Sequence, residues 1–116
     1  MTQEISLTRG LNSGYNMARM KYEIIFAPEA VQDLKRLSAR DRSIVKETIE
    51  THLRYEPQRM SKSRIKKLRG ISRPQYRLRV GEIRIFYDVT GQAVEVLAII
   101  PKSKATAWLQ EMEGNK

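Results

Sequence analysis

Residues 75 to 89, QYRLRVGEIRIFYDV, alternate apolar and polar side chains on either side of one glycine. A period of two predicts a pair of half-buried strands, 75–80 and 83–89, with the turn around Gly81. A third strand, AVEVLAII at 93–100, follows the turn TGQ, and Pro101 breaks it. Upstream, KYEIIF at 21–26 is a short β-branched and aromatic run and reads as a first strand. The period then turns helical. APEAVQDLKRLS places Pro28 and Glu29 in a first turn, with Val31, Leu34 and Leu37 at helical spacing. In ARDRSIVKETIETHLRYEP, Ile44, Val45, Thr48, Ile49 and Leu53 form one stripe that Pro57 closes. After Pro101, SKATAWLQEME predicts a short C-terminal helix with Ser103 as its cap.

The predicted order is β-α-α-β-β-β-α: an α+β single domain in which an antiparallel sheet packs one face against a helical hairpin. Residues 1–19 show no sustained period and carry Gly10, Asn12, Ser13, Gly14 and Asn16, so they read as a flexible N-terminal extension. The domain is assigned to 20–116, with Met17 or Met20 as alternative starts. Residues 58–70 are basic and poor in apolar side chains, and read as a loop or short exposed segment.

Composition narrows the function classes. No apolar run approaches the roughly 20 residues of a membrane helix, and no basic-then-apolar signal opens the chain. With no cysteine and a single histidine, His52, thiolate or histidine-based metal centres are not expected. The cysteine count fits a reducing cytoplasm. Charge changes the picture more. Of a net +9, the whole excess lies between Arg59 and Arg84, where ten Lys or Arg meet one acid, Glu82. The remainder holds twelve bases and twelve acids. Positive charge concentrated in this way suits a polyanion such as a phosphate backbone, or an acidic protein partner.

Strand alternation sorts that charge by face. Leu78, Val80, Ile83 and Ile85 are expected to face the core together, which puts Arg77, Arg79 and Arg84 on the opposite face with Glu82 and Phe86. The basic segment brings Lys66, Lys67 and Arg69 to the rim, and Lys102 and Lys104 arrive at an end of the same sheet. Aligned guanidinium groups suit a phosphodiester, because each fork can hold two phosphate oxygens. Phe86 is placed either to stack on a nucleobase or to be covered by the C-terminal helix, and Trp108 either stacks or packs. His52, Tyr76 and Tyr87 fall where packing explains them.

KLRG at 67–70, YRLRVGEIRIFY at 76–87 and VEVLAI at 94–99, with KYEIIFAPEAVQDLKRL at 21–37, resemble the RelE/ParE superfamily of bacterial toxin–antitoxin toxins. The likeness spans about residues 20 to 110. It implies a cytoplasmic toxin silenced by a cognate antitoxin, whose acidic segment is expected over the basic face. The RelE-like branch implies a metal- and cofactor-independent endoribonuclease, an mRNA interferase cutting mRNA on the ribosome. The ParE-like branch implies a DNA gyrase inhibitor, and a non-catalytic basic RNA-binding module is a third alternative.

Carried over by motif, Arg77 and Arg79 fall where RelE has strand lysines, Arg84 on the arginine before the IFY segment, and Lys102 or Lys104 near a late-strand arginine. Trp108 stands nearest to a C-terminal tyrosine. The resemblance thus implies catalytic roles for Arg77, Arg79, Arg84, Lys102 and Lys104, and RNA binding by Lys66, Lys67, Arg69, Phe86 and Trp108. Arginine stays protonated and tryptophan offers no phenolic acid, so proton transfer is left to Lys66, Lys67 or Lys102.

Overall fold

A computed structural model describes residues 20–114; the extension expected over 1–19 lies outside the described residues. The elements are β1 (Glu23–Phe26), α1 (Pro28–Arg36), α2 (Ala39–Leu53), β2 (Ile65–Lys67), β3 (Tyr76–Val80), β4 (Ile83–Thr90), β5 (Ala93–Pro101) and α3 (Lys102–Gly114). The expected α+β order holds, with one short strand added: Ile65–Lys67, within the segment read as loop, joins the sheet as β2. Its one apolar residue explains it, since Ile65 is buried opposite Leu78.

The five strands lie in the order β1-β5-β4-β3-β2. β1 runs parallel to β5, and every other pair is antiparallel. The β3–β4 and β4–β5 turns each place a glycine at φ 59°, Gly81 and Gly91, a left-handed conformation that a Cβ disfavours. The β4–β5 register slips between Phe86 and Tyr87, a bulge that leaves Leu97 without a direct partner.

Pro28 occupies the first turn of α1, and Lys35 and Arg36 sit in its last turn, where cations suit the carbonyl end. The Ser38 hydroxyl caps α2 by accepting the Asp41 N–H at 3.1 Å. At the far end of α2, Arg54 donates to the Tyr22 carbonyl at 2.8 Å and ties the helix to the start of β1. α3 begins at Lys102, so Ser103 falls inside its first turn instead of capping it.

α1 and α2 cover one sheet face. Ala30, Val45, Ile49 and Leu53 from the helices meet Leu78, Ile85, Tyr87, Val94, Val96 and Ile99 from the strands. Tyr87 is fully buried, donates to the Pro57 carbonyl at 2.6 Å and stacks on Tyr76. Burial holds its phenol well above the ordinary tyrosine range, so it is a core hydrogen-bond donor. Asp33 of α1 accepts the Ile99 N–H at 3.0 Å, satisfying β5 beyond the point where β1 ends. α3 crosses the opposite face and buries none of its own residues fully. Among the described residues no helix is long and apolar enough to cross a membrane.

Candidate functional site

The face under α3 is organised in rows by strand register. Arg79 stands opposite Arg84, and Arg77 lies between Lys66 on β2 and Phe86 on β4. Arg64, just ahead of β2, extends the first row: its carbonyl accepts the Arg79 N–H at 2.9 Å, and its own Nη1 donates to the Arg79 carbonyl at 2.9 Å. The alternation read from the sequence therefore puts Arg77, Arg79 and Arg84 on one face, and the fold adds Arg64 to them. The signal for Arg64 was its two-residue spacing from Lys66, which carries meaning only if β2 is a strand.

Three of the four guanidinium groups, those of Arg64, Arg77 and Arg84, donate to backbone carbonyls. Arg84 is 7% exposed, and its Nη1 donates to the carbonyls of Gly81 at 2.8 Å and Ile83 at 3.1 Å. This corrects the expectation that Arg84 sits on an open face: it is buried and clamped onto its own hairpin turn. Arg77 Nη2 reaches the Arg64 carbonyl at 3.4 Å, while its Nε is buried with no hydrogen-bond partner. Burial foremost, then the charges of Arg84 and Arg79, lower the Arg77 pKa from its ordinary value. Arg79 is exposed. None of the ion pairs among the described residues involves Arg64, Arg77, Arg79 or Arg84. Like charges are thus packed together with no carboxylate of the described residues paired to them.

The other expected residues divide. Lys66 is exposed on the arginine face opposite Arg77. Lys102 donates its backbone N–H to the Glu82 carbonyl at 2.7 Å, which pins the start of α3 to the turn that holds Arg84. Lys104 is exposed two residues further into α3. Lys67 alternates to the helical-hairpin face, opposite Tyr76, so the fold does not bring it to the arginines. Arg69 is exposed just beyond β2, where the chain faces α3. Phe86 is 1% exposed and stacked beneath Trp108, with ring centroids 4.9 Å apart at 16°. Its ring is covered by the C-terminal helix, and Trp108 keeps only partial exposure for any further stacking. His52 is half-buried on α2, where burial and then the charge of Arg64 lower its pKa.

A second surface lies on the other side of the sheet. A groove of about 490 Å³ runs between β1 and the helical hairpin, lined by Ile24, Phe26, Val31, Leu34 and Ile49, with Lys46, Glu50 and Arg54 also on its walls.

Residues 24–106 match the family model described as ParE toxin of type II toxin–antitoxin system, parDE. Among solved structures, the chain is similar to the toxin–antitoxin complex RelBE2 from Mycobacterium tuberculosis. The identity is 26% over 71% of this chain and 92% of that one, with a TM-score of 0.62. The RelB–RelE antitoxin–toxin complex from Methanococcus jannaschii is similar at 27% identity over 72% and 96%, with a TM-score of 0.57. The archaeal RelE–RelB complex from Pyrococcus horikoshii is similar at 26% identity over 73% and 99%, with a TM-score of 0.60. No curated protein matches the chain.

Proposed function

The chain belongs to the ParE toxin family of type II toxin–antitoxin systems, within the RelE/ParE superfamily, and we propose that it acts as an endoribonuclease on mRNA. One observation carries this reading: four arginines converge on one sheet face with no acidic partner among the described residues, three of them donating to backbone carbonyls. An unneutralised, preorganised cationic cluster is what the charge of a phosphodiester transition state requires.

The reaction uses the RNA's own 2′-OH. Its oxygen attacks the adjacent phosphorus, the P–O5′ bond breaks, and the products are a 2′,3′-cyclic phosphate and a free 5′-OH. Arg79 and Arg84, directly opposite each other, grip the non-bridging oxygens; Arg77 adds charge from the neighbouring row. Arg84 contributes most, because its hydrogen bonds to the turn remove the need to reorganise as charge develops. Lys66 beside Arg77 and Lys102 at the turn are the groups placed to move the two protons. Lys104 supports the phosphate on the 3′ or 5′ flank. A cognate antitoxin with an acidic segment covers the arginine face and silences the toxin.

The direct test is translation with purified protein, mapping mRNA ends with and without ribosomes. New internal ends are expected. The match to the ParE model favours a second reading, inhibition of DNA gyrase. Intact mRNA together with blocked supercoiling in a gyrase assay establishes that reading instead.

A further inference from the structure

α3 does more than cover the arginine face. Its second half meets the loop that follows β2, and a cavity of about 210 Å³ opens between them. Leu68, Ile71 and Leu109 supply apolar walls, and Arg69, Gln110 and Glu113 supply polar ones. The side chains of these three polar residues make no hydrogen bond or ion pair with another described residue, so none of their donors and acceptors is taken up by the described fold. Arg69 offers only donors, Glu113 only acceptors, and Gln110 both. Apolar walls with mixed donors and acceptors around them match an object with apolar faces and a polar edge.

The cavity is also placed to meet RNA. Lys66 and Leu68 share the α3 face of the same chain segment, two residues and roughly 7 Å apart. Lys66 belongs to the row of Arg77. A strand whose phosphate lies on that row therefore passes the cavity mouth within about one nucleotide. We propose that this cavity receives one unpaired nucleobase next to the phosphate held by the Lys66–Arg77 row, and so sets a base preference beside the cut. The inference rests on the ribonuclease reading for its substrate. RNA is favoured over a protein segment because cations flank the cavity mouth: Lys66 and Arg77 on one side and Arg69 on its wall.

The test uses labelled 2′-O-methyl oligoribonucleotides, which bind without being cut, and walks a single abasic position along them while anisotropy reads affinity. One position is expected to matter, weakening binding by about tenfold when its base is missing, as the loss of one or two buried polar contacts would. Thr106→Phe fills the cavity from α3, and the ratio of base-bearing to abasic affinity should collapse towards one. Gln110→Ala, a milder change on an exposed helix position, should reduce the same ratio and alter which base is preferred. Arg84→Ala should weaken both oligonucleotides together and leave the ratio standing. Equal affinity for abasic and intact strands at every position overturns the proposal, as does a ratio that neither cavity variant moves. A cavity filled by the antitoxin instead gives that same absence of abasic penalty. A preserved ratio in a protein that leaves translated mRNA intact supports the pocket and removes only the cleavage reading.

Discussion

The face under α3 has two ends that treat arginine in opposite ways. At one end Arg73 reaches Asp88 at 2.8 Å and Glu95 at 2.8 Å, bridging β4 and β5. Asp88 is 8% exposed and both its oxygens are used, the second accepting the Gln75 N–H at 2.8 Å. At the other end Arg64, Arg77, Arg79 and Arg84 contact only main-chain carbonyls or none. The first end sets one arginine against two carboxylates and holds the 73–75 segment to the sheet. The second concentrates positive charge, at the cost of burial and, after it, mutual repulsion, which together lower the Arg77 pKa. An arginine paired to a carboxylate has its hydrogen bonds filled. Arginines oriented by carbonyls keep their charge available to an incoming anion, and that distinction separates scaffold from proposed site on one surface.

Exchanging the roles of the two ends tests it. Arg84→Ala should lower the cleavage rate by two to three orders of magnitude, about 3 to 4 kcal/mol, as loss of a rigid charge-stabilising donor does. Because Arg84 is buried with two carbonyl partners, its removal should also lower stability by about 1 to 2 kcal/mol, measured by urea melts. Arg84→Lys should recover part of the rate, since one ammonium cannot reproduce the two-point grip.

Asp88→Ala acts at the other end. It leaves Arg73 with Glu95 alone and strands the Gln75 N–H, and should cost about 2 kcal/mol of stability. Cleavage per folded molecule should stay within about twofold of the parent. A larger loss of rate than of stability would mean the paired end also belongs to the site.

Arg64→Ala should slow cleavage by about tenfold, with a smaller change in RNA affinity, because it removes the guanidinium that braces the Arg79 carbonyl. The main-chain carbonyl that receives Arg77 remains in this variant, so Arg77 should stay in place. The smallest effect is on ionic-strength dependence. Arg79→Ala should reduce the slope of log affinity against log salt for single-stranded RNA by about 0.7, the share of one phosphate contact. Antitoxin binding should share this salt sensitivity if an acidic segment covers the arginines. Salt-indifferent binding would place the antitoxin in the groove lined by Ile24, Phe26 and Leu34.

Much of this was legible in the chain. Alternation from Tyr76 to Tyr87 assigned Leu78, Ile85 and Arg77, Arg79 and Arg84 to their faces, since a strand's period depends on local geometry alone. β2 was not legible, because Ile65–Lys67 is too short to show a period and is ordered by pairing with β3. For the same reason Arg64 was missed and Lys67 was placed with the arginines. The burial of Arg84 and the capture of Phe86 by Trp108 depend on where α3 lands, which is a tertiary fact. The Arg73 clamp joins residues 15 and 22 positions apart, beyond any local pattern. Alternation and the resemblance together nominated the cationic residues, and the fold determined which of them share a face.

The most direct test follows the ends of a translated mRNA exposed in parallel to the parent protein and to folded Arg84→Ala. Internal breaks bearing 2′,3′-cyclic phosphates and 5′-OH groups are expected with the parent, and at least a hundredfold fewer at matched concentration and time with the variant. Full-length mRNA with the active parent protein, or equal cutting by both, would contradict the ribonuclease reading.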